Sequence, residues 1–157
     1  MDGGPGDDAI SGRGGEDELL GSLGADRLSG GPGDDRLFGD PAQGDDYYTP
    51  LVKLRADRLS GGSGDDDLYD TGGRNVLLGG PGRDLLEGGA GRDRMRAGPG
   101  ADEVDAAGGG RDRVDCGGGR DRARIDLRRD SRRRCEIWLV PGFSALTYAS
   151  RRYTSRR

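Results

Sequence analysis

An apolar residue returns at every ninth position through long stretches of this chain. The series is Ile10, Leu19, Leu28 and Leu37, then Leu59, Leu68, Leu77, Leu86, Met95 and Val104, and finally Val114 and Ala123. Its neighbours on either side are mostly polar, among them Arg27, Arg36, Asp67, Arg94, Glu103 and Arg113. One inward position between two outward ones fits a very short strand that is wet on one face. Neither the three-to-four spacing of an amphipathic helix nor a run of about 18 apolar residues occurs, so no membrane-spanning helix is predicted.

The six residues ahead of each strand are as regular as the strand. In Gly3-Gly4-Pro5-Gly6-Asp7-Asp8-Ala9-Ile10-Ser11, glycine fills places one, two and four, and aspartate fills place six. The same frame fits Gly12 to Leu20, Gly21 to Ser29, Gly30 to Phe38, Gly61 to Tyr69, Asp70 to Leu78, Gly79 to Glu87, Gly88 to Arg96 and Ala97 to Asp105. Ala106 to Asp115 carries one extra residue, and Cys116 to Arg124 closes the series. Between Phe38 and Gly61 lie 22 residues ending in Ala56-Asp57-Arg58-Leu59-Ser60, which matches Ala25 to Ser29 letter for letter. We read this stretch as one repeat with a thirteen-residue insertion at about 40–54. The alternative is two degraded repeats, the first using Gly44, Asp46 and Tyr48. The preferred reading gives twelve repeats, an all-β solenoid over residues 3–124, a cap over 125–143 and a flexible basic tail over 144–157.

Composition narrows the chemistry. Aspartate outnumbers glutamate 24 to 5, and glycine accounts for 33 of 157 residues. Glycines at places one, two and four permit positive φ and let backbone carbonyls turn toward a common point. Carbonyl and carboxylate oxygens together suit a hard cation such as Ca²⁺, which takes six to eight oxygens at about 2.3 to 2.6 Å. The chain has no histidine, which removes the usual zinc ligand and the commonest general base. Charge is uneven: residues 1–50 carry a net −9, 51–100 balance, and 101–157 carry +5.

The pattern G-G-x-G-x-D-x-U-x, with U aliphatic, resembles the nonapeptide of RTX (repeats-in-toxin, hemolysin-type) calcium-binding proteins over residues 3–124. That resemblance implies a right-handed parallel β-roll in which two nonapeptides make one coil and turns n and n+2 stack. It also implies several bound Ca²⁺ ions, held by place-six side chains and turn carbonyls. On one edge the ligands would be Asp17, Asp35, Asp66, Asp84, Asp102 and Asp121; on the other, Asp8, Asp26, Asp57, Asn75, Asp93 and Asp112. The glycines matched to the motif's carbonyl donors are Gly4, Gly6, Gly31, Gly33, Gly62, Gly64, Gly80, Gly82, Gly89 and Gly91. Departures from the motif fall mostly on the second edge, at Ser22-Leu23, the insertion, Asp70-Thr71 with Asn75, and the extra residue near Ala106. The first edge is therefore expected to hold the better sites.

Beyond Arg124 the nine-residue pattern is lost. Trp138, Leu139, Val140 and Phe143 supply apolar material for a cap over the last coil. Cys116 opens the last repeat and Cys135 precedes this apolar stretch. A disulfide between them would tie cap to roll and imply an oxidising compartment; two free buried thiols are the alternative. Cys-Gly-Gly-Gly-Arg-Asp followed by Cys-Glu looks like the ending of exported bacterial proteins of this repeat class. The Arg128-Arg129 and Arg132-Arg133-Arg134 cluster reads as a solvated, partly Asp-paired segment rather than a nucleic-acid surface. The insertion, with Asp45, Asp46, Tyr47, Tyr48 and the lone Lys53, reads as a tolerated excursion from a turn.

The function expected from these readings is calcium binding by a secreted, extracellular, monomeric and non-catalytic β-roll that folds with its ions. The alternatives are the calcium-binding module of a larger secreted enzyme of protease or lipase type, and a surface adhesin. No basic segment followed by an apolar stretch opens the chain. Export by another signal, or a longer parent protein, is the expectation that follows.

Overall fold

The computed structural model describes residues 1–40, 55–126 and 130–137, and within them every regular element is a strand. The expected insertion at 41–54, Trp138 to Phe143 and the tail lie outside the described residues. One sheet has eight parallel strands, ordered β1 (Asp2–Pro5), β3 (Glu18–Leu23), β5 (Arg36–Phe38), β7 (Asp67–Tyr69), β10 (Leu85–Glu87), β13 (Glu103–Ala106), β15 (Arg122–Ile125) and β17 (Glu136–Ile137). The facing sheet has seven: β2 (Ala9–Ser11), β4 (Arg27–Pro32), β6 (Arg58–Ser63), β9 (Val76–Leu78), β12 (Arg94–Gly100), β14 (Arg113–Gly119) and β16 (Ser131–Arg133). A small pair, β8 (Gly72–Gly73) with β11 (Ala90–Gly91), joins two turns. Successive repeats alternate between the two large sheets, so two nonapeptides make one coil of an all-β parallel solenoid.

Register settles how the insertion is accommodated. Leu28 pairs with Leu59, and Leu37 with Leu68, each 31 residues apart; other coils step by about 18, as in Leu68 to Leu86. Residues 39–60 therefore fill one repeat's place in the stack, thirteen residues longer than the others.

The place-eight residues form the core. Leu19, Leu37, Leu59, Leu68, Leu77 and Leu86 are fully buried, and Leu28, Met95, Val104, Val114 and Ala123 nearly so, while Ile10 at the open end is half-buried. The strands run further than three residues. In β4, β6, β12 and β14 they continue through place nine into places one to three of the next unit, which brings place one inward by the same two-residue alternation. Early in the chain that place is glycine. Later it is Ala97, Ala106, Cys116 and Ile125, all within the core cluster.

The stacking continues past Arg124, where pattern reading lost the period. β14 pairs with β16 through Val114 and Arg132, and β15 with β17 through Ala123 and Ile137. Arginine at place eight hid this unit from a search for aliphatics. Arg134 makes a bidentate pair with Asp115, at 2.9 Å to each carboxylate oxygen. Cys116 and Cys135 form a disulfide with Cα atoms 5.2 Å apart, tying the last strands to β14. Closing a 19-residue separation removes conformational freedom from the unfolded chain worth about 3 kcal/mol. With Ca²⁺ present, reducing this bond is expected to lower the urea-unfolding free energy by about that amount. An unchanged midpoint after complete reduction would refute it.

Candidate metal centre along the turns

The turns stack as regularly as the strands. At places two and four the glycines adopt positive φ, as at Gly62 (126°) and Gly64 (134°), and the ten glycines matched to carbonyl donors all do so. A Cβ on Gly62 or Gly64 would overlap the carbonyl of Gly31 or Gly33 in the coil below, so these turns stack backbone on backbone. Arg13 and Ser22 hold place two with φ of 81° and 78°, a costly conformation for residues with a side chain.

Place one needs glycine for a different reason from the one expected. No place-one glycine has positive φ. A Cβ at Gly61 would overlap Oδ2 of Asp66, and one at Gly21 would lie 2.6 Å from Oδ2 of Asp26. Glycine here leaves room for the place-six carboxylate of its own turn, which folds inward over the bare backbone.

The place-six side chains form two ladders, paired as the resemblance to the RTX nonapeptide implies. The backbone N–H of each donates to Oδ1 of its counterpart one coil further on. One ladder runs Asp17 to Asp35, Asp66, Asp84, Asp102 and Asp121; the other runs Asp8 to Asp26, Asp57, Asn75, Asp93 and Asp112. Donor–acceptor distances are 2.7 to 3.1 Å. The second ladder gains a rung that was missed in the sequence, since Asp112 N–H donates to Asp130 Oδ1 at 3.0 Å.

Most ladder bonds use one carboxylate oxygen and leave the other without a donor, whereas Oδ2 of Asp130 accepts the Asp126 N–H at 2.6 Å. Oδ2 of Asp8, Asp17, Asp26, Asp35, Asp57, Asp66, Asp84, Asp102 and Asp112 is buried with no hydrogen-bond partner. An ionised oxygen in that position costs several kcal/mol unless a proton or a cation meets it. Burial accordingly pushes the carboxyls up, Asp66 and Asp102 to about 6 and Asp84 and Asp93 to about 7. Donation from the preceding backbone N–H pulls the other way, and neighbouring carboxylates add to the rise. Asn75 breaks the rule: its Nδ2 donates to the Gly72 carbonyl at 2.9 Å, so its amide is satisfied within its own turn.

This donor set fits a hard cation: only oxygen is offered, it is buried, and it repeats at each coil. Comparison with known families agrees with the geometry. The model of the RTX calcium-binding nonapeptide repeat matches in four copies, over residues 2–37, 11–48, 55–69 and 69–104, more than half the chain. No curated protein matches the chain.

The raised carboxyls fix a pH response for the ion-free protein. Their value is about 3.9 in an unfolded chain, so between that pH and about 7 the fold holds more protons than the unfolded chain, and stability falls as pH rises through this window. In EGTA, β content by far-UV circular dichroism is expected to be greater at pH 4.5 than at pH 7.5. Apparent Ca²⁺ affinity should move oppositely, weakening below pH 7 as protons compete. Equal ion-free β content at both pH values would contradict the assignment.

Proposed function

The chain belongs to the RTX calcium-binding nonapeptide repeat family, and from that membership we propose a secreted, non-catalytic β-roll whose folding is coupled to Ca²⁺. The observation that carries this reading is the double row of buried Oδ2 atoms without donors. Ca²⁺ would be held by place-six carboxylates of successive coils and by carbonyls of the glycine turns. The bound ion supplies the positive charge that lets these carboxylates stay ionised while buried.

Energetics support coupling. The core is a single column of leucines and smaller residues between two narrow sheets, set against the ordering cost of 33 glycines. Free energy of binding at sites that the unfolded chain lacks becomes folding free energy. A disulfide fits an oxidising, Ca²⁺-rich extracellular setting.

Calorimetric titration with Ca²⁺ at pH 7.5, followed in parallel by circular dichroism, is expected to show several sites and a coil-to-β transition. Full β content in excess EGTA would overturn the coupling, and absence of heat would overturn the binding. Asp66→Ala removes a carboxylate shared by two successive rungs and should abolish more bound Ca²⁺ than Asn75→Ala, whose amide is already satisfied.

A further inference from the structure

One group of carboxylates falls outside the regular ladder. Asp40 stands at place two of the interrupted repeat and Asp70 at place one of the Asn75 repeat, where glycine is the rule. With Asp57, a ladder residue, each offers a carboxylate oxygen, and the three oxygens lie within 4.8 Å of one another. All three residues are more than nine-tenths buried, at 4%, 2% and 5% exposure for Asp40, Asp57 and Asp70. Oδ2 of each has no hydrogen-bond partner.

The local bonds explain why these oxygens converge. Asp57 Oδ1 accepts the Asp26 N–H at 2.9 Å, and Asp70 Oδ1 accepts the Gly72 N–H at 3.0 Å, which leaves both Oδ2 atoms inward. A Cβ on Gly39 would overlap Oδ2 of both Asp57 and Asp70, so the two carboxylates face the same point over that glycine. Two ionised carboxylates cannot donate to each other. The third, Asp40, adds negative charge where none is needed for packing.

We propose that Asp40, Asp57 and Asp70 form a three-carboxylate clamp for one further hard cation of the Ca²⁺ class, distinct in composition from the two-rung sites of the ladder. The choice of ion rests on the reading of the roll as a calcium binder. A Ca²⁺–oxygen distance of about 2.3 to 2.6 Å lets one ion touch oxygens up to about 5 Å apart, and the three oxygens, all within 4.8 Å of one another, are inside that reach. Oxygen-only ligands disfavour zinc-type metals.

Native mass spectrometry of the full chain in Ca²⁺ counts the ions, and calorimetry ranks them. Asp40→Asn/Asp70→Asn is expected to bind one ion fewer than the unchanged protein. It should also lose its tightest step, weakened at least tenfold, because ligand charge sets affinity in such sites. An identical count and isotherm would overturn the clamp while leaving the ladder intact. No bound ion in the unchanged protein would overturn the reading of the roll and the clamp with it. Asp70→Gly, which restores the repeat's own residue at place one, guards against a folding defect and should lose the same ion; retention of that ion would refute the proposal.

Discussion

Everything in this molecule is arranged around a carboxylate oxygen that is buried and has no donor. The place-six aspartate must come inward because its Oδ1 accepts the N–H of the preceding coil, and that bond repeats along both edges of the stack. Its second oxygen then enters the interior with nothing from the protein to meet it. The rest of the repeat follows. Where place one is glycine, the inward carboxylate occupies the space a side chain would take. Places two and four turn at positive φ so that successive turns can lie backbone on backbone.

The same constraint explains why the apolar core can be so thin. In an ordinary domain a column of single leucines would not offset the ordering of this much glycine. Here the stack is held by ladder bonds and by whatever neutralises the buried acids, and the leucines serve mainly to exclude water between the sheets. The balance shifts along the chain. Toward the C-terminal end place one fills with Ala97, Ala106, Cys116 and Ile125, and a disulfide closes the last strands. Negative charge is concentrated in the first 50 residues.

Much of this was legible in the sequence because a period of nine fixes which residues stack. The inward leucines follow from counting, whereas the coil of two repeats and the pairing of Asp66 with Asp35 and Asp84 came from the resemblance to the RTX nonapeptide. The length of the interrupted repeat followed too, once Ala56 to Ser60 was matched to Ala25 to Ser29. Other features were hidden for identifiable reasons. Asp130 was missed because Arg132 stands where the aliphatic residue should be, although backbone register alone carries that unit. The role of place one was misread because glycine serves two purposes, torsional freedom and empty volume, and composition does not separate them. The meeting of Asp40 with Asp70 depends on a 31-residue step between coils, which no local motif encodes.

The irregular repeats follow the same logic rather than departing from it. At Asn75 the place-six carboxylate is gone and an amide donates to its own turn's carbonyl, taking up one of that oxygen's two lone pairs. A carboxylate reappears five residues earlier, at Asp70, facing Asp57 in the coil below across the bare Gly39. The exchange keeps a carboxylate at this level of the stack, over the same glycine that Asp57 faces. Asp40, next to Gly39, adds a further acid to this group. Loss of the motif's letters at this point therefore brings no loss of buried acid: the edge with more departures from consensus holds the densest group of carboxylates among the described residues.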